Sequence, residues 1–293
     1  GNFYICFLMA HFSVKNSERK YTIINSIFNQ RMTHKRISRN QVKLILSLQK
    51  KKVREENSLF VIEGDKLVRE YILAGNRVVL LAGKPEWIDG EQEAVTGGAD
   101  DIATVSYEEL RRISSLRTPH NVLAIAPMRK VHFSPGILRG RLVPALEYVQ
   151  DPGNLGTIIR MAAWFGMTDI ICSPDCVDFY NPKVIQATMG AFMHVNVWYR
   201  SLDDILGKAA GESITVYGTV TDGTSVYEST LGSEGIVLLG NESKGISETL
   251  LRHVTSRITI PGPARMTAGL ESLNVSMAAA IVFSEFARRK PEV

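Results

Sequence analysis

The stretch VPALEYVQDPGNLGTIIRMAAWFG, residues 143–166, decides the fold. VPALEYVQ is a short and nearly continuous apolar run, the pattern of a strand covered on both faces. Pro152 and Gly153 then turn the chain. NLGTIIRMAAWFG reads as a helix, with Asn154 placed to cap it. Gly156 lets another group approach the backbone closely, and Arg160 lies on the same side one turn further on. Strand, tight turn and helix in that order make one α/β unit, with its turn at the carboxyl end of the strand.

The same alternation runs to the end of the chain. TDIICSP, HVNVWYR, SITVYGTV, GIVLLG and SRITIP read as strands, and NPKVIQATMGA, SLDDILGKAAG, SETLLRHV and SLNVSMAAAIVFSEFARR as helices. The pattern predicts a mostly parallel sheet covered on both faces over residues 143–293, with its site beyond the carboxyl ends of the strands. Upstream, Val42, Leu44, Ile45 and Leu48 suggest an amphipathic helix. SLFVIEG, KLVREYILAG, RVVLLAG, SYEELRRISS and NVLAIAPM continue a smaller α/β unit, expected over residues 32–133. HFSPGILRGR supplies the breakers of a linker over 134–142. Residues 1–31 show no period and are expected to form an N-terminal extension, Met32 being a natural place for the chain to start.

Hydrophobic residues make up 45% of the chain and charged residues 22%, the balance of an ordinary soluble globular protein. No apolar run approaches the roughly 18 residues of a membrane span. The first residues lack the basic lead and small-residue cleavage site of a signal peptide, which points to the cytoplasm. Three cysteines, Cys6, Cys172 and Cys176, fit a reducing compartment better than a disulfide scaffold. No His stands near the last two, so no metal is expected. The net charge of +4 is uneven: residues 1–60 hold 12 Lys/Arg against 3 Asp/Glu. A basic front end on a mildly acidic remainder suggests a polyanionic partner. Lys43, Lys50, Lys51, Lys52 and Arg54 are the candidates to meet its phosphates.

Two further strand ends stand out. IVLLGNESKGIS ends a strand in Gly240, Asn241 and Glu242, with Gly245 before the next helix. Ile246 stands where a phosphate-binding P-loop needs Lys, and a GxGxxG fingerprint is absent, which argues against a nucleotide-cofactor oxidoreductase. RITIPGPARMTAGLESLNVS ends a strand at Ile260 and Pro261, then reaches Ser272, Leu273 and Asn274 at the mouth of an apolar helix. One polar residue there is a cap; two ask for another role.

The three strand ends together resemble the SpoU family of RNA ribose 2′-O-methyltransferases, of the trefoil-knotted SPOUT class. Asn154, Gly156 and Arg160 match its Asn-x-Gly-x-x-x-Arg motif. Gly240, Glu242 and Gly245 match Gly-x-Glu-x-x-Gly. Ile260, Pro261 and Ser272 to Ser276 match Ile-Pro followed by Ser-Leu-Asn-Val-Ser. The front unit, with FVIEGDKLVREYI, resembles the ribosomal-protein-like RNA-binding domain often fused to this family. Two departures stand beside these matches: Gln186 where many relatives carry Arg, and a longer loop after Pro261 that contains Arg265.

The resemblance implies S-adenosylmethionine as methyl donor and an RNA ribose as acceptor, ribosomal rather than transfer RNA. It implies a carboxyl-terminal sheet with a deep trefoil knot and a homodimer formed through that domain. Arg160, Asn154, Glu242, Ser272 and Asn274 become the candidate catalytic residues. Thr219, Gly240, Ile260 and Leu273 become the candidate cofactor-binding residues, and no metal is needed. A non-catalytic RNA-binding protein on the same fold is the competing expectation, and failure to bind S-adenosylmethionine would distinguish it.

Overall fold

The computed structural model describes residues 35–241, 243–262 and 272–289. Two compact units divide the chain. Of the first, residues 1–36, only the extended pair Lys35–Arg36 is described, so the expected extension 1–31 and Met32 lie outside the described residues. The second unit, Ile37–Val293, contains two sheets.

The front sheet starts from local signals. Ser38 and Gln41 form a reciprocal capping box that opens α1 (Arg39–Ser47). Then come α2 (Lys51–Asn57), β1 (Leu59–Glu63), α3 (Asp65–Leu73), β2 (Leu80–Gly83), α4 (Pro85–Gly90) and α5 (Glu93–Thr96). β3 (Ile102–Thr104), α6 (Tyr107–Ile113) and β4 (Val122–Pro127) complete it. Within this unit the order is β3-β2-β4-β1; β2 and β3 are parallel, the other pairs antiparallel. The segment expected as a linker is mostly exposed. Pro135–Leu138 forms a 3₁₀ turn with Leu138 buried, and Leu142 already belongs to the next strand.

The second sheet comprises β5 (Leu142–Leu146), β6 (Asp169–Cys172), β7 (Asn196–Tyr199), β8 (Val216–Ser225), β9 (Gly235–Leu239) and β10 (Ser256–Thr259). It is built with α7 (Pro152–Trp164), α8 (Pro182–Ala187), α9 (Leu202–Gly211), α10 (Glu248–Leu251) and α11 (Val275–Arg288). Its order is β10-β8-β9-β5-β6-β7 and every pair is parallel. Alternate strand residues feed two cores. Leu142, Leu146, Ile170, Val237 and Leu239 pack with α7, α8 and α11, whereas Val143, Ala145, Ile171, Ile236 and Leu238 pack with α9 and α10. Phe283 and Phe286 hold α11 in the first of these; full burial of such a side chain contributes about 1.5–3 kcal/mol. The strand order reverses at β5, which has β6 on one side and β9 on the other. The crevice beyond the carboxyl ends of β5 and β9 is therefore the position where a sheet of this kind binds its ligand.

Candidate active site

The loops leaving β5 and β9 are clasped together. The Glu147 N–H donates to the Leu239 carbonyl at 2.9 Å, and the Ser247 N–H donates to Glu147 Oε2 at 2.8 Å. Tyr148 takes the left-handed conformation at φ 58°, a strained choice for a residue with a side chain. Its N–H donates to Ser173 Oγ at 3.0 Å, and its carbonyl accepts from Asn241 Nδ2 at 3.1 Å. Asn241 Oδ1 accepts from the N–H groups of Ser243 and Lys244 at 2.9 and 3.1 Å. The backbones of Asn241 and Gly245 exchange two hydrogen bonds, with Gly245 at φ 67°. This return packs on Gly240, where a Cβ would lie 2.3 Å from the Gly245 carbonyl carbon. Glycine is thus the only residue that fits. Glu242, inside the turn, lies outside the described residues.

Helix α7 begins two residues earlier than the sequence suggests. Asp151 is the cap, its Oδ1 accepting the Asn154 N–H at 2.9 Å. Asn154 therefore sits within the first turn, which frees its side chain from capping. Gly156 is buried against α8, and a Cβ there would lie 2.4 Å from Ala187 Cβ. This is the close approach that its residue type implied. Arg160 is exposed, and its guanidinium makes no hydrogen bond or ion pair with any other described residue.

The apolar helix at the chain end answers the question of two polar residues at one helix start. Asn274 is the cap of α11, its Oδ1 accepting the N–H and hydroxyl of Ser276 at 2.9 and 2.6 Å. The amide nitrogen of the same side chain donates to Asn154 Oδ1 at 3.0 Å. One asparagine thus starts α11 and joins it to α7, across 120 residues of sequence. Ser272 and Leu273 are exposed just ahead of it, Leu273 at 47%. Arg265 and the rest of the loop over 263–271 lie outside the described residues.

Of the remaining cofactor candidates, Ile260 is partly buried against the core beneath α11. Thr219 donates its hydroxyl to the Leu238 carbonyl at 2.9 Å, next to Gly240. It stands where β8 leaves its register with β10, Gly218 pairing Arg257 and Thr224 pairing Ile258. Among the described residues no cluster of His, Cys, Asp and Glu could hold a metal ion, and no helix is long and apolar enough to cross a membrane. Cys172 and Cys176 are both buried. Cys176 takes part in the support of the first loop, donating to the Leu146 carbonyl and accepting the Val149 N–H, each at 3.3 Å. The neighbouring Cys172, ahead of Ser173 and the Val149 N–H, holds the Cys176 thiol down to about 7, whereas burial pushes the Cys172 thiol up.

Lys43 on α1, Lys50 at the cap of α2, and Lys51 and Lys52 on α2 are exposed. Lys51 and Lys52 face Glu55 and Glu56 at 3.8 Å. Arg54 corrects the expectation made for it. It is 2% exposed, ion-paired with Asp178, and out of reach of any phosphate. The run of basic residues sends three successive lysines outward, but the helical period turns Arg54 into the interior.

Known proteins share this architecture and these motifs. Residues 141–284 match the SpoU rRNA Methylase family, and residues 39–124 match the MRM3-like substrate binding domain. The chain is 29% identical over 242 residues to the 23S rRNA (guanosine(2553)-2′-O)-methyltransferase RlmP of Bacillus subtilis, an alignment spanning 80% of this chain and 91% of that protein. A Synechocystis tRNA/rRNA methyltransferase is 34% identical over 64% of this chain and 67% of its own length. Among solved structures, a protein of Porphyromonas gingivalis assigned to the TrmH family of RNA methyltransferases superposes with a TM-score of 0.74 at 34% identity. That match covers 87% of this chain and 99% of the other. An AdoMet-bound rRNA methyltransferase from Sinorhizobium meliloti superposes at 0.75 with 26% identity, over 88% and 98% of the two chains.

Proposed function

The chain belongs to the SpoU rRNA methylase family, and from that premise we propose that it transfers a methyl group from S-adenosylmethionine to a ribose 2′-hydroxyl of ribosomal RNA. One observation carries the assignment of the site: the Asn274 amide reaches Asn154 at 3.0 Å. It ties the first and third motifs together at the switch point of the sheet, beside the clasped Gly240 loop. Ribosomal rather than transfer RNA is favoured by the front segment's match to a substrate binding domain and by a relative that modifies 23S rRNA.

The residues present fit the donor. Leu273 is an exposed leucine at the mouth of a helix, and Ile260 offers a second apolar wall. The absence of a side chain at Gly240 lets the Gly245–Ile246 backbone close over it. Thr219, Gly240, Ile260 and Leu273 would hold the donor there. When bound, S-adenosylmethionine supplies an electrophilic methyl group whose departure leaves a neutral thioether. The chain must place the acceptor oxygen in line and favour its ionised form. Arg160 does this as a fixed positive charge, holding a phosphate of the RNA and lowering the cost of removing the hydroxyl proton. The guanidinium is already protonated and has no acceptor, so it cannot take that proton itself; the proton passes to water. Asn154, Asn274 and Ser272 orient the ribose, and Glu242 orients Arg160 or Asn274.

The finer features of the proposal rest on family resemblance. Residues 143–293 form the methyltransferase domain with its deep trefoil knot, and residues 32–133 form the RNA-binding domain. The protein acts in the cytoplasm as a homodimer through the carboxyl-terminal domain. Trp164, 81% exposed at the end of α7, supports such an interface. Light scattering at micromolar concentration tests the dimer, and a monomer mass would overturn it. Transfer of label from S-adenosylmethionine to ribosomal RNA, followed by mapping of ribose methylation, tests the activity. Label on a base, or none on RNA, would overturn it.

A further inference from the structure

We infer that the buried Arg54–Asp178 ion pair is a positioning element, fixing the RNA-holding front sheet at one placement relative to the helix that carries Arg160. The inference rests on the reaction proposed above. It adds a residue pair, remote from the chemistry, that sets which nucleotide reaches the site.

Four of the five N–H donors of the Arg54 guanidinium are hydrogen-bonded. Its Nε and one terminal nitrogen donate to Asp178 Oδ2 at 3.2 and 2.5 Å. Its other terminal nitrogen donates to the carbonyls of Leu48 and Gln49 at 2.8 and 2.9 Å, the open end of α1. One side chain thereby holds α1, α2 and a residue 124 positions away. Asp178 is equally well placed. It lies in the segment between β6 and α8, where the Val177 N–H donates to the Val149 carbonyl at 2.9 Å, just before Asp151. Asn181, three residues on, caps α8 by accepting the Lys183 N–H. α8 in turn is the surface on which Gly156 of α7 rests. Two packed elements therefore separate Arg54 from the helix of Arg160.

An apolar contact accompanies the pair. Phe60 of β1 meets Tyr180 and Phe192 at ring-centroid distances of 4.7 and 5.9 Å, and Tyr71 of α3 stacks on Phe192 at 5.8 Å. Arg129 donates to the carbonyls of Phe192, Met193 and Val195 at 3.0, 3.0 and 2.6 Å. Apolar rings supply attraction but tolerate sliding. A buried guanidinium tied to a carboxylate and two carbonyls does not, because any slip strands a desolvated charge. The ion pair selects one register among those the rings would permit.

The test uses the full chain. Asp178→Asn keeps size and shape while removing the charge. The double variant Arg54→Met/Asp178→Leu removes both charges and strands neither. For each, calorimetric affinity for S-adenosylmethionine, RNA affinity, the single-turnover rate at saturating RNA and the map of methylated riboses are measured. Expected are unchanged cofactor affinity and near-normal RNA affinity, with a single-turnover rate reduced by up to about a hundredfold, the scale of an ångström of misplacement. Methylation should also spread to neighbouring riboses. An unchanged rate and an unchanged map in both variants would overturn the inference. Cofactor affinity falling in step with rate would also overturn it, by reducing the pair to fold stability. Failure of the unaltered chain to methylate ribosomal RNA while binding the donor would instead overturn the proposed function, and the inference with it.

Discussion

At the scale of the residue, Arg160 stands apart because it is exposed at the site without a protein partner among the described residues. A surface arginine held by no carboxylate among the described residues is available to a phosphate. If its charge stabilises the transition state, Arg160→Ala slows methyl transfer by about a hundredfold or more, on the order of 3 kcal/mol, with cofactor affinity nearly intact. Arg160→Lys should rescue little, since a point charge does not reproduce the planar fork. Single-turnover rates beside calorimetric affinities check both, and near-normal turnover by the alanine variant would remove Arg160 from the chemistry. The two asparagines separate differently. Asn274→Ala loses a helix cap and the bridge, whereas Asn154→Ala loses the bridge and keeps the cap that Asp151 provides. A cap contributes about 1 kcal/mol, so thermal melts should show the Asn274 variant as the less stable, and equal melting temperatures would refute the division. The sequence identified both asparagines because their types and spacings recur as motifs. It did not identify Asn241, Glu147 or Asp178. Their partners are backbone groups or residues far away in sequence, and a hydrogen bond across about a hundred residues leaves no local pattern. Asn241 alone carried a faint signal, an Asn ahead of a Ser in a turn. Arg54 was misassigned for a related reason: a run of basic residues tells charge, and only the helix phase tells burial.

Among elements, those of the carboxyl-terminal half were legible almost throughout, because strands buried on both faces read as unbroken apolar runs that also delimit the helices between them, short as α8 and α10 are. α2, α4, α5 and β3 were not: each is seven residues or fewer, too short to establish a period. The seam between α7 and α8 depends on one missing methyl group. Gly156→Ala would place a Cβ 2.4 Å from Ala187 Cβ and 2.9 Å from the Val184 carbonyl oxygen. Overpacking of this sort costs about 1–3 kcal/mol, and here it also pushes the helix of Arg160 away from its support. The variant should lose stability in denaturant melts and lose turnover with it; a Gly156→Ala protein as stable as the parent would disprove the contact. α11 carries a charge-based anchor at its other end. Glu285 is buried among hydrogen bonds from Arg288 and then Arg289, which hold its carboxyl down to about 2 from an ordinary 4.5. A carboxyl depressed on folding contributes stability that is present above its unfolded value and lost as pH falls toward its folded one. The loss should therefore develop between about pH 5 and 2, and Glu285→Gln should flatten that part of a stability-against-pH curve. An unaltered acid limb in the variant would show that other carboxylates set it.

For the whole molecule, charge and chemistry are kept at different places along the chain. The basic excess lies within residues 1–60, whereas the clasped loops and the two bridged asparagines lie beyond residue 146. If the front end supplies affinity for a polyanion and the second sheet supplies the reaction, the two should separate under mutation. Lys43 of α1, Lys50 at the cap of α2, and Lys51 and Lys52 of α2 are exposed, as is Arg39 at the start of α1. The carboxylates facing two of them at 3.8 Å are themselves exposed, and such pairs are worth little, so they yield readily to phosphate. Replacing all four lysines by glutamine removes cations without touching the core, because Arg54, the buried member of the run, is left in place. Each phosphate contact contributes about 0.7–0.9 to the slope of log affinity against log salt concentration. If all four lysines meet phosphates, the slope falls by about 3, and weaker binding is most evident at low salt. Affinity for S-adenosylmethionine and the methyl-transfer rate at saturating RNA should stay as they were, since none of the four lies on the loops leaving β5 and β9. Binding measured across several salt concentrations decides the matter. A slope that survives the four replacements would move the RNA path off these helices and onto another face of the protein.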